Sequence, residues 1–380
     1  MDENFNLQNY ITRGVENFVK ASLKATLKNP RESAFLAKFA LAAKRASGIR
    51  KKSEAKGLHI PAFLIASITS RCNLHCEGCY SRDTHATSDG ESGKQLTGKE
   101  WADIFSQANE MGISFIILAG GEPLLRRDVM EAASGIPGIL FPTFTNGVFL
   151  NASYMDLFNK HRNLLPVLSL EGDRETTDAR RGEGIFDTVA GKMEALKEKG
   201  IVFGISVTVT KENMESVFSD DFIKDLTDKG VKFLFFVEYV PIGGNKKETA
   251  PDDAEREFIR QRVSEFRAAY NEIVFVSIPG DENTSGGCLA AGRGFFHINH
   301  KGDAEACPMS PFSDVNVRDG SLEDALRSPL FASIKEKGLL EGSHKGGCAL
   351  AEREEQIMEI RENVSAGDNY DTQKNAEEGE

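Results

Sequence analysis

Between His59 and about Val240 the chain alternates short apolar runs with amphipathic stretches, and this rhythm limits its possible folds more than any other feature. The apolar runs are Phe63–Thr69, Phe115–Ala119, Ile139–Phe144, Leu164–Leu170, Phe203–Val209 and Phe233–Val240. Between them lie helical patterns at Gly98–Met111, Arg127–Ala133, Ala152–Lys160, Phe186–Lys199 and Val217–Lys229. Strands separated by helices of this length predict an α/β fold with a parallel sheet and helices outside it. Six such units fit a barrel short of the usual eight strands, or an open doubly wound sheet. In either, reactive groups gather at the C-terminal ends of the strands.

After Pro241 the alternation is expected to fail. An amphipathic helix over Pro251–Tyr270 and a short strand, Ile273–Ile278, lead into a Gly-rich, Cys-bearing stretch from Gly280 to about Leu350. That stretch reads as a small appended domain held partly by metal. The expected division is 1–58, 59–280, 281–350 and an acidic, largely disordered tail at 351–380. The tail carries ten acidic and three basic residues.

Residues 1–58 carry twelve Lys and Arg against five Asp and Glu. Ile11, Val15, Phe18, Val19, Leu23 and Leu27 recur at helical spacing beside Lys20, Lys24 and Lys28, and Pro30 breaks the pattern before a second helix over Glu32–Ala46. A helical hairpin packed on the main domain is the expectation. Basic residues flanking an apolar face also permit weak contact with an anionic membrane surface. The net charge of −12 argues against a general nucleic-acid binder. No apolar run approaches the roughly 20 residues of a membrane span, and MDENFNLQNY does not resemble a secretory signal. Cytoplasm is the expected compartment.

Three of the six cysteines fall within eight residues, in Arg71-Cys72-Asn73-Leu74-His75-Cys76-Glu77-Gly78-Cys79-Tyr80, directly after the first strand. Three thiolates on one loop suit an iron–sulfur cluster or zinc. Zinc would need a fourth ligand, and His75 is cramped between Cys72 and Cys76. A four-iron cluster on three cysteines leaves one iron open for chemistry.

This C-x3-C-x2-C loop resembles the signature of radical S-adenosylmethionine (radical SAM) enzymes, in which it follows the first strand of a partial (βα)6 TIM-type barrel. The resemblance implies a [4Fe-4S] cluster on Cys72, Cys76 and Cys79, with S-adenosylmethionine chelating the open iron. It implies reductive cleavage of that cofactor to a 5′-deoxyadenosyl radical, which abstracts hydrogen from substrate. It also implies an external reductant such as flavodoxin or ferredoxin. Many members place an aromatic before the third cysteine, near the adenine; here that position is Gly78, with Tyr80 just beyond.

Further positions fit the family. Gly120-Gly121-Glu122-Pro123 is similar to its GGEP motif, which holds the cofactor's amino group. Thr145-Asn146-Gly147 is similar to a segment near the ribose, and Ser169-Leu170-Glu171-Gly172 resembles SLDG with Glu in place of Asp. Arg181 fits an arginine pairing with the cofactor carboxylate better than Arg180 does, and Ser206 adds a ribose contact. Cys288, Gly302, Cys307 and Cys348 form C-x13-G-x4-C and a later cysteine. This resembles the reduced, Twitch type of SPASM extension and implies a second [4Fe-4S] cluster. Its fourth ligand is open: an unfilled position, His344 or a substrate atom. Gly286, Gly287, Gly302, Gly346 and Gly347 let backbone wrap it closely. His297 and His300 read as an edge strand. The substrate is a small molecule, lipid or peptide; the rival is a non-enzymatic iron–sulfur electron carrier or sensor.

Overall fold

The computed structural model describes residues 7–27, 29–90, 93–242, 246–341 and 348–364. Strands β1 (Phe63–Ser67), β2 (Phe115–Ala119), β3 (Phe141–Thr145), β4 (Leu164–Ser169), β5 (Gly204–Val209) and β6 (Phe233–Glu238) form where the apolar runs predict them. Helices Gly98–Met111 and Ala152–Lys160 have the expected bounds. Thr97 starts the first with a capping box shared with Glu100.

β1 to β6 pair in parallel and in sequence order. The alternation does not stop at Pro241. Helix Asp253–Ala269 is a further crossover, and it returns the chain to β7 (Val274–Ile278), parallel to β6 with Phe233 opposite Val274. The short strand read at Ile273–Ile278 thus belongs to the main sheet. A period-2 apolar run reveals a strand, whereas its partner is fixed by the crossover that precedes it.

The other edge is extended too. β8 (His297–Ile298) pairs in parallel with β1, and β9 (Asp303–Glu305) and β10 (Val315–Asn316) add antiparallel strands beyond it. His297 therefore sits inside the sheet rather than on an edge. Phe296, Ile298, Ala304, Leu330 and Phe331 share one apolar core with the outer faces of the barrel strands. The cysteine-bearing region is continuous with the barrel's sheet and core.

The inner face receives the N-terminal hairpin, α1 (Leu7–Ala25) and α2 (Pro30–Glu54). Asn29 caps α2 by accepting from the Glu32 amide, and Pro30 opens it. α2 outruns its expected end at Ala46. Buried Arg50 lies in the added turns and donates to the Gly112 carbonyl at 2.5 Å. Val15, Val19, Phe39 and Ala43 pack on Phe115, Leu165, Phe233 and Val274 near the starts of their strands, and on Leu140 just before β3. The Phe18 ring lies 5.2 Å from Phe115 and 5.6 Å from Phe233.

The hairpin thus closes the N-terminal end of the partial barrel. The apolar stripe of Val15, Phe18, Val19 and Leu23, which a lipid surface would need, is turned inward. Lys24 donates to the Asn271 side chain at 2.6 Å, whereas Lys28 lies outside the described residues. Among the described residues no helix is long and apolar enough to cross a membrane. Replacing Phe39 with Ala should cost about 3–5 kcal/mol in chemical denaturation. Leu41→Ala, at a side chain 72% exposed, should change stability by less than about 0.5 kcal/mol.

Candidate active site

The chain leaves β1 through Ile68, Thr69 and Ser70 into the cysteine loop. Cys72, Cys76 and Cys79 are free, half-buried thiols. Arg82 clamps the loop by donating twice to the Leu74 carbonyl, at 2.8 and 3.2 Å. The Glu77 amide donates to the Arg180 carbonyl at 2.8 Å, and the Asn146 side chain donates to Asn73 at 2.9 Å. His75 turns outward, 65% exposed, with Nε2 2.9 Å from Asp89. It is thus not placed to complete a zinc site. No three His, Cys, Asp or Glu side chains among the described residues are spaced to hold a single metal ion.

Burial pushes the Cys72 thiol up to about 11, helped by the nearby charges of Glu122, Cys76 and Cys79. Three thiolates gathered here need a compensating cationic centre, and iron bound to them provides it. The donor set fits an iron–sulfur cluster.

The two glycines after β2 exist because this loop lies against them. A Cβ on Gly120 (φ +120°) would sit 2.4 Å from the Thr69 carbonyl oxygen, and one on Gly121 would sit 2.0 Å from that of Arg71. The Gly121 and Glu122 amides donate to these carbonyls, each at 2.8 Å. The buried Glu122 carboxylate accepts from the Thr145 hydroxyl at 2.7 Å and from the amides of Leu124 and Asn146 at 3.0 and 2.9 Å. Desolvation raises its pKa and these donors oppose the rise. Glu122 therefore braces the end of β3 against the loop, and Pro123 starts the buried turn that aims it.

A second buried carboxylate organises the opposite side. Glu171 accepts from Arg180 Nη1 at 2.6 Å and Arg181 Nε at 2.7 Å, and its other oxygen accepts from the Thr208 amide at 2.9 Å. Arg181 Nη1 stands 3.9 Å from Cys76 Sγ, and Arg180 reaches the Gly78 carbonyl at 3.4 Å. Two guanidiniums on one carboxylate leave a net positive charge beside the thiols. Ser169 and Ser206 are opposite each other in register, with hydroxyls 3.4 Å apart.

Tyr239, just past β6, escapes the sequence reading. A Cβ on Gly78 (φ +61°) would lie 2.6 Å from its ring, and its buried hydroxyl has no hydrogen-bond partner among the described residues. The place beside the third cysteine where an aromatic was expected is a glycine because Tyr239 fills the room from another strand. No local motif announces this.

The second cysteines lie close enough to act on one another electrostatically. Burial raises the Cys288 and Cys307 thiols well above the ordinary range, and Cys348 acts electrostatically on both. The Cys288 amide donates to the Leu340 carbonyl at 2.8 Å. His344, Gly346 and Gly347 lie outside the described residues. His297 is engaged elsewhere: it bridges Glu305 and the Ser67 hydroxyl, each at 2.7 Å. Tyr80 lies between the two sets, its hydroxyl pKa raised by burial and then by Cys79, Cys307 and Glu305.

The fold and the loop define a radical enzyme of the iron–sulfur class. Residues 66–223 match the family model of the Radical SAM superfamily, so the chain carries a radical SAM domain, of the kind that takes S-adenosylmethionine and an iron–sulfur cluster. It is 26% identical over 318 residues to the AdoMet-dependent heme synthase of Methanosarcina barkeri, spanning 77% of this chain and 88% of that protein. It is 30% identical over 168 residues to the mycofactocin maturase MftC of Mycolicibacterium smegmatis, which covers 43% of this chain and 41% of that one. Streptococcus suis SuiB bound to S-adenosylmethionine shares the fold, with a TM-score of 0.64 and 20% identity over 80% of this chain and 77% of SuiB.

Glu171→Gln would leave Arg180 and Arg181 without their counter-charge, and should cost about 3–5 kcal/mol of stability by denaturant titration. Gly121→Ala should displace the cysteine loop, seen as lower iron content after anaerobic reconstitution with the fold preserved by circular dichroism.

Proposed function

We propose that this enzyme is an oxidoreductase carrying two four-iron clusters, one on Cys72, Cys76 and Cys79 and an auxiliary one on Cys288, Cys307 and Cys348. The observation that carries the second is that three thiols distant in sequence are buried within electrostatic reach of one another. The bound cofactor supplies the radical, and the protein supplies binding, orientation and exclusion of water. Arg181, held by Glu171, is placed to receive the cofactor's carboxylate. The Gly120–Pro123 turn presents backbone toward its amino group, and Thr145, Asn146, Ser169 and Ser206 line the approach to its ribose. Tyr239 offers an aromatic face beside Gly78 for the adenine.

The substrate lies in the barrel's lumen. Its floor is apolar, with Ile65 opposite Ile117, Phe144 opposite Val167 and Phe235 opposite Val276 in register. Its rim is polar, with Ser67, Ser169, Ser206 and Thr208. Such a lumen suits a molecule with an apolar body and a polar edge. The heme synthase, which matches most of the chain and most of its own length, favours a tetrapyrrole over the peptide class represented by SuiB with its precursor peptide. The reductant is an external one-electron donor, and the compartment is the cytoplasm.

Anaerobically reconstituted protein should bind about eight irons. Cys72, Cys76 and Cys79 replaced together by Ala should abolish 5′-deoxyadenosine formation while about four irons remain. Replacing Cys288, Cys307 and Cys348 should retain cofactor cleavage and lose product. Among candidate substrates, iron porphyrins should raise 5′-deoxyadenosine formation more than peptides do; the reverse order would move the assignment to a peptide.

A further inference from the structure

A four-iron cluster has four corners, and the second cysteine set supplies thiolates for three. His297 is held by Glu305 and Ser67. Among the described residues, a candidate within reach is Glu282. It lies on the turn Gly280–Thr284 directly after β7, at the same end of the sheet as the cysteine loop. The turn is fixed by buried Ser285, whose hydroxyl is 2.6 Å from the Glu282 carbonyl and 2.5 Å from that of Gly287.

The Glu282 side chain points into the cysteine set. Its Oε2 accepts from the amide of Leu289, the residue after Cys288, at 3.3 Å. The carboxylate is within electrostatic reach of the Cys288, Cys307 and Cys348 thiols. The nearby cation, Arg293, donates to the carbonyls of Cys288 and Ser285, at 2.6 and 3.2 Å. A carboxylate placed among three thiols and away from water is costly unless a cation neutralises it.

We propose that Glu282 is the fourth protein ligand of the auxiliary cluster, its carboxylate oxygen binding the iron that the three thiolates leave open. This rests on the reading that Cys288, Cys307 and Cys348 hold a cluster. Three thiolates and one carboxylate bring the same four negative charges as an all-cysteine set, so the cluster's charge is balanced without a further residue. Binding requires the carboxylate ionised, and any proton on it or on the thiols is released to solvent as iron enters.

The test uses the full chain with Cys72, Cys76 and Cys79 replaced by Ala, so that only the auxiliary cluster contributes. Iron and sulfide are supplied anaerobically, and iron content and the electron paramagnetic resonance spectrum are read. Absence of iron in this background would remove the auxiliary cluster itself, before Glu282 is in question. With a cluster present, adding Glu282→Gln, which keeps the size and the acceptor for Leu289, should lower iron from about four to about three per chain. The oxidised protein should then show a three-iron signal. Glu282→Cys should restore the fourth iron with a shifted spectrum of the reduced cluster. Unchanged iron and spectrum in both variants would overturn the assignment. Complete loss of iron in both would overturn it too, because a thiolate at a ligand position would still hold iron.

Discussion

The site depends on the close approach of two backbones. The cysteine loop after β1 and the Gly120–Gly121 turn after β2 hydrogen-bond to each other with no space for a side chain between them. A loop that must present three thiols to one inorganic centre cannot wander, and a bonded, sterically closed neighbour holds it. Its other supports, from Asn146, Arg180 and Arg82, are contributed by elements far apart in sequence, so the loop's geometry is set by the whole sheet.

Two buried glutamates translate that constraint into electrostatics. Among the described residues Glu122 accepts from a hydroxyl and two amides, and burial raises its pKa, so it locks loop to loop. Glu171 instead gathers two arginines and delivers one of them to Cys76. Carboxylates of the same kind just past β2 and β4 of one parallel sheet thus do different work, decided by whether the partners are neutral donors or guanidiniums.

The remaining architecture serves the lumen. The hairpin fills the N-terminal end of the partial barrel with Phe18 and Phe39 against Phe115 and Phe233, leaving the C-terminal mouth for chemistry. The extension through β8, β9 and β10 grows from β1, the strand that carries the cysteine loop. The second cysteines are therefore brought toward the first by sheet pairing, with Tyr80 between them.

The sequence by itself determined the elements and the chemistry-bearing types. Strands β1 to β6 and the helices between them were legible to within a few residues, because apolar periodicity and caps are local properties. The C-x3-C-x2-C loop and the GGEP turn were equally legible, since metal ligands and tight turns need particular residues at fixed spacing. Tertiary structure alone decided the partners. An amphipathic hairpin has the same pattern whether it covers lipid or a barrel floor, and only the ring of apolar residues at the strand starts settled which. β7 was legible as a strand, but its neighbour was decided by its pairing with β6. Tyr239 over Gly78, and Glu122 turned to Thr145 and Asn146, follow from contacts between strands whose separation along the chain carries no periodic signal. Local order is written in neighbouring residues, whereas the direction of a side chain into a shared site is fixed by which strands lie side by side.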